Sequence, residues 1–169
     1  MLASILLTHF FWHDVNIFSD FLRTDPNSIL TQIPSSSKWL LSFCILLPVL
    51  GKSAQFPFCF WLPKAMEGPT HSSAIFYGSL SVHLGVFLML RTYPFWEHQT
   101  SMRIAIGLMG LTTSLAASVM ARVQSSVKSQ VAYSSISQIG IIFIEIALGF
   151  ETLALIHFAG NAFLRTYQL

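Results

Sequence analysis

A chain of 169 residues with 53% apolar and only 9% charged side chains cannot cover itself with a water-soluble surface, because soluble domains carry ~25% charge. A mean hydropathy of +0.63 and a net charge of +2 also exclude a disordered chain and a nucleic-acid binder. The bilayer is the expected solvent.

The first 38 residues are mixed. MLASILLTHFFWHDV lacks the basic flank and the small-residue cleavage site of a signal peptide. Its apolar run is short for a span of ~20 residues. Residues 1–38 therefore read as an apolar segment followed by a loop or an amphipathic surface helix, with Asp14, Asp20, Arg23, Asp25 and Pro26 in it. Candidate spans then follow at about 39–60, 73–90, 104–121 and 130–150, and a fifth starts near Thr152. The first is interrupted by Pro48 and by GKSAQ. Short connections, including a turn at 149–151, imply antiparallel neighbours. The runs are continuous rather than alternating, which argues against a lipid-facing barrel. The expected fold is an all-α membrane protein, a polytopic helix bundle of about five transmembrane helices. One of these is broken near Pro48–Lys52.

Lysine and arginine divide four against four between the two sets of loops, so orientation stays open and a piece of a larger assembly is expected. Cys44 and Cys59 lie in apolar stretches and read as buried free thiols. No Cys/His zinc spacing, phosphate loop, dinucleotide fingerprint or nucleophile elbow occurs. No catalytic residue, metal ligand or cofactor is expected.

Polar groups inside the spans are the candidate sites, because a charge at membrane depth costs roughly 2.5–3.5 kcal/mol or more. Lys52 follows Pro48 by four residues, and Gly51 loosens the same turn. Unwound backbone there must line an enclosed or wet cavity, and a lysine at depth loses proton affinity. The bland alternative is a helix end whose lysine snorkels to the interface. His83 lies deep in the second span, with Ser79 one turn before it. It reads as a proton relay or as a structural histidine bonded across helices. Tyr77 lies on a hydroxyl stripe with Ser73 and Ser81, while Gly78, Ser81 and Gly85 form a small-residue packing face. Ser134, Gln138 and Glu145 share roughly one face of the fourth span. Glu145 is the one carboxylate deep in any span, and Lys52, His83, His157 and Arg165 are its available partners. His157, Asn161 and Arg165 stack at i, i+4 and i+8 on an otherwise apolar helix. They read as a hydrated path or as interhelical glue. Lys128 sits in a loop or helix start, where a surface role is equally open.

GKSAQFPFCFWLPKAMEGPTHSSA (51–74) and RVQSSVKSQVAYSSISQIG (122–140) resemble two signature blocks of the proton-conducting antiporter-type membrane subunits. That family includes chain 5 of respiratory complex I (NADH:quinone oxidoreductase) and the multi-subunit cation/proton antiporters. The resemblance runs from about residue 39 to the end and implies a partial antiporter-type transmembrane domain over 39–169. It places Lys52 on the family's central lysine in a broken helix and Lys128 on a basic position. His157 falls on a histidine and Arg165 on a lysine of the polar axis along the membrane's middle. Glu67, Gly68, Pro69 and Thr70 fall on the loop motif. Tyr77 and Asn161 stand where the complex I pattern has histidines, and His83 and Glu145 have no counterpart there. FYGSLSVHLG (76–85) and FLRTYQL (163–169) are more similar to the membrane subunit of bacterial inorganic-carbon uptake complexes.

The resemblance thus implies a proton-conducting subunit of the bacterial inner membrane, serving bicarbonate or CO2 uptake beside a large soluble zinc protein related to carbonic anhydrases. The alternatives are a complex I chain 5-type or cation/proton antiporter subunit, and a non-conducting membrane anchor for a soluble partner. In each case the chain is a transporter subunit rather than an enzyme by itself, with other subunits, protons and lipid as its partners. In complex I it would be part of a translocase. The family member is much longer than this chain, so a fragment or split subunit is expected.

Overall fold

The computed structural model describes residue 6, residues 35–70, residue 73 and residues 80–169. The N-terminal unit expected over 1–38 falls almost wholly outside the described residues, as do Tyr77, Gly78 and Ser79. Every regular element among the described residues is helical: α1 (Ser35–Lys52), α2 (Trp61–Ala65), α3 (Val82–Arg91), α4 (Tyr93–Trp96), α5 (Thr100–Arg122), α6 (Val127–Leu148) and α7 (Glu151–Gln168).

Two of these, α5 and α6, are long and apolar enough to cross a membrane by length and composition. They match the spans expected over 104–121 and 130–150. The fifth expected span is α7, and α3 is a shorter apolar helix. The all-helical architecture stands among the described residues, and two of the five expected spans meet the length and apolarity test.

The first span breaks at the Lys52 end of the expected Pro48–Lys52 stretch. Pro48 sits inside α1, and the helix continues to Lys52 before unwinding. At the unwinding Ser53 still donates to the Val49 carbonyl at 2.8 Å, but Gln55 reaches back five residues to Leu50 at 2.9 Å. Ala54 has a positive φ of 51°, which widens the turn. The Trp61 indole N–H donates to the Gly51 carbonyl at 2.9 Å, satisfying an acceptor that the helix end leaves unpaired.

The core centres on α6, which packs against α5 and α7 and also meets α2 and α3. Its burial explains the order: 56% of its apolar stretch is inside the bundle, against 22% for α5. Glycines allow α5 and α6 to touch. A Cβ on Gly140 would lie 2.8 Å from the Gly110 carbonyl oxygen and 2.9 Å from the Ser114 nitrogen, so both crossing points need glycine. Gly85 plays the same part between α3 and α1, where a Cβ would meet the Val49 carbonyl oxygen at 2.8 Å and collide with the Ser53 side chain.

The chain reverses between α6 and α7 at Gly149, whose φ is 91°. Gly149 donates to Ile146 and Phe150 donates to Glu145, each at 3.0 Å, closing α6 with the paired bonds of a Schellman motif. The guanidinium Nε of Arg103 donates to the Ala147 carbonyl at 2.8 Å, capping the same end from α5. At the other end the Ser126 hydroxyl accepts from the Ser129 amide at 3.2 Å, an N-cap. The register this turn sets decides which polar groups of α6 and α7 meet.

Candidate functional site

Helix α7 is inside-out relative to a soluble amphipathic helix. Asn161 and Arg165 are buried, 7% and 6% exposed, whereas Ile156, Phe163 and Tyr167 are 71–93% exposed. In water such an arrangement would strand two polar side chains inside and apolar ones outside. Around a bundle in hydrocarbon it is the favourable one. Among the described residues, the same outward apolar face runs along α5 through Leu108, Leu111, Leu115 and Val119.

Two hydrogen-bonded groups form on the inner face. In the first, Glu145 on α6 meets His157 on α7, with Oε1 2.8 Å from Nδ1. The opposite ring nitrogen, Nε2, lies 3.0 Å from Gln138 Oε1 on α6. With the Gln138 amide oxygen turned to the ring, Nε2–H donates to it; with the amide turned over, its NH2 donates to Nε2 and Nδ1–H donates to the Glu145 carboxylate. In the first arrangement the 2.8 Å contact needs one further proton between Nδ1 and the carboxyl, shared as imidazolium with carboxylate or as neutral imidazole with carboxylic acid. Both forms keep every bond in this group. The second carboxyl oxygen, Glu145 Oε2, is buried and has no hydrogen-bond partner among the described residues.

In the second group Arg165 is the hub. It donates from Nη2 to Ser134 on α6 at 2.7 Å, from Nη1 to Gln168 at 2.7 Å, and from Nε to Asn161 Oδ1 at 3.3 Å. The Asn161 amide nitrogen is 3.1 Å from Nε2 of His83, which arrives from α3. His83 is 2% exposed, and its ring meets Phe158 edge-on at 5.2 Å between centroids. This group ties α3, α6 and α7 together.

The structure thus gathers His83, Glu145, His157, Asn161 and Arg165 on one inner surface. Of the four cations available to Glu145 it selects His157. Arg165 is buried and bonded rather than snorkelling. Ser134 and Gln138, noted for their shared face, supply direct partners. Gln168 is a partner that the helical spacing alone did not single out. The other candidates lie apart. Lys52 ends α1 exposed, with no hydrogen bond or ion pair among the described residues. Lys128, in the first turn of α6, donates from Nζ to the Gly68 carbonyl at 3.2 Å and so tethers the exposed loop of Glu67, Gly68, Pro69 and Thr70. The unwound stretch after Lys52 is itself polar inside. Thr113 on α5 accepts from the Phe56 amide at 3.1 Å, while Ser53 Oγ and Gln55 Oε1 are buried with no partner among the described residues. Cys59 is buried as expected, whereas Cys44 is half-buried rather than buried.

The sequence of this helical chain matches a known membrane family. The NADH:quinone oxidoreductase/Mrp antiporter transmembrane family matches residues 1–167. The chain belongs to that family. Curated relatives include NADH-ubiquinone oxidoreductase chain 5 of Halichoerus grypus, 40% identical over 121 residues, which are 72% of this chain and 20% of the relative. NAD(P)H-quinone oxidoreductase subunit 5, chloroplastic, of Nuphar advena is 36% identical over 148 residues, or 86% of this chain and 20% of the relative. NADH-quinone oxidoreductase subunit L of Campylobacter jejuni is 37% identical over 139 residues, or 82% and 23%. The chain therefore spans about a fifth of the length of these relatives, and family membership makes it an integral membrane protein.

Proposed function

We propose that the chain forms part of a proton-conducting membrane subunit, and that the polar inner face of α7 is a segment of its path. The observation that carries this reading is the Glu145–His157–Gln138 group, in which a carboxyl oxygen and an imidazole nitrogen lie 2.8 Å apart, near enough for a proton to pass between them while the Gln138 contact is kept. Simple interhelical glue needs no titratable pair. In this reading residues 39–169 are the conducting part, Lys52 exchanges protons at the broken helix, and Tyr77 and Lys128 serve the same route. Other subunits of a membrane complex are the natural partners, since the relatives' names place them in NADH- or NAD(P)H-quinone oxidoreductases. The test is proton flux in vesicles holding the complete assembly. Lys52→Ala should lower the flux, and unchanged flux removes Lys52 from the path.

A second, finer reading rests on His83. FYGSLSVHLG resembles the inorganic-carbon branch, and its histidine is the one bonded to Asn161, where complex I chains carry a histidine instead. On that reading the subunit energises bicarbonate or CO2 uptake in a bacterial inner membrane beside a carbonic-anhydrase-like zinc protein. Co-purification of such a protein supports it. Co-purification with quinone-reductase subunits overturns it in favour of complex I.

A further inference from the structure

Two of the polar groups on the inner face, Arg165 and Asn161, fix the state of a third, His83. The guanidinium of Arg165 has only N–H donors, so the Asn161 atom facing its Nε at 3.3 Å is the amide oxygen. The amide orientation follows from that, and the Asn161 nitrogen is the atom that lies 3.1 Å from His83 Nε2. An NH2 group donates, so Nε2 must present its lone pair. An imidazole accepting at Nε2 carries its hydrogen on Nδ1 and has no second proton.

We propose that Asn161 is a positioning residue that holds His83 as a neutral imidazole protonated on Nδ1, with Arg165 setting the direction of the amide. This deepens the conducting reading, because it divides the two histidines by role. His157, 2.8 Å from the Glu145 carboxyl, is placed to exchange a proton with it. His83 can take one at Nε2 only when the Asn161 amide turns away. That turn is resisted from behind, since Arg165 is itself held by Ser134 and Gln168 at 2.7 Å each. Among the elements packed against α3, α7 also brings His157, α6 brings Glu145 and Tyr133, and α1 brings Lys52. Arg165 reaches His83 through Asn161.

The test reads the imidazole directly and does not depend on flux. The protein, labelled with 15N-histidine and purified in lipid with whatever subunits accompany it, is measured by solid-state NMR at neutral pH. The His83 signals are identified by their loss in His83→Gln. The expected spectrum has a protonated Nδ1 and an unprotonated Nε2. A protonated Nε2, in either the other neutral tautomer or the cation, overturns the proposal. Asn161→Asp supplies the second measurement. A carboxylate accepts from both Arg165 and His83, so a proton should appear on Nε2 while the His157 signals stay in place. An Nε2 still unprotonated in that variant overturns the positioning role. Loss of flux with both NMR outcomes as expected leaves the proposal standing, and flux retained with a protonated Nε2 in the unmodified protein defeats it alone.

Discussion

Replacing Glu145 by glutamine should separate the energetic worth of the Glu145–His157 pair from its chemistry. The two side chains are 14% and 25% exposed, so the pair is largely but not wholly removed from solvent. A hydrogen bond to a charged group contributes about 1.5–3 kcal/mol and a neutral one about 0.5–1.5 kcal/mol. Hydrogen bonds between membrane helices lie lower, about 0.6 kcal/mol on average and about 1.7 at most. Glutamine is isosteric and can donate to His157 Nδ1, so Glu145→Gln should cost only about 1 kcal/mol. Glu145→Ala removes that bond outright and should cost about 2 kcal/mol. Reversible unfolding in mixed micelles, run as a double-mutant cycle with His157→Gln, should give a coupling of about 1 kcal/mol. A coupling below about 0.3 kcal/mol is indistinguishable from independent sites, and would refute the claim that this contact is an energetic unit.

Gly140→Ala should cost about 1–3 kcal/mol by driving a methyl into the backbone of α5. Gly107→Ala, whose methyl would sit 3.4 Å from the Ala147 Cβ, should be nearly neutral in the same micelle unfolding assay. Gly149→Ala should cost about 1–2 kcal/mol, because its φ of 91° lies where a Cβ clashes with the following carbonyl. Equal stability there would show that the reversal into α7 is adjustable. Lys128→Met should leave the unfolding midpoint within about 1 kcal/mol, since its bond is exposed, yet speed proteolysis of the 66–70 loop. An unchanged cleavage rate would mean that the bond to Gly68 restrains nothing.

How much of this was legible in the sequence varies by element, for physical reasons. The C-terminal end of α6 is legible, because the turn at Gly149 acts through neighbouring backbone, whereas its start lies at Val127, before the expected 130, behind a Ser126 cap that the apolar run does not show. Helix α5 starts at Thr100, before the expected 104. Arg103 looked like a flanking charge, but it lies inside the helix because its partner, the Ala147 carbonyl, comes from another element. Helical spacing aligned His157, Asn161 and Arg165 correctly, since that periodicity is a property of one helix. It could not say which cation meets Glu145, because that depends on the antiparallel register set at Gly149. Nor could it reveal the Gly110–Gly140 crossing, which depends on how two helices approach. Pro48 signalled disorder in the hydrogen-bond ladder, but the unwinding is located by Ala54, Gln55 and the Trp61 cap.

The central claim is that protons pass along the buried polar face of α7. Driven proton uptake by vesicles containing the complete assembly, unmodified or carrying His157→Gln, tests it most directly when subunit composition is checked in parallel. Glutamine keeps a polar side chain between α6 and α7 but cannot bind a proton at neutral pH. The account predicts a fall in flux of about tenfold or more with the assembly intact. Unmodified flux from an intact assembly lacking this imidazole would contradict it.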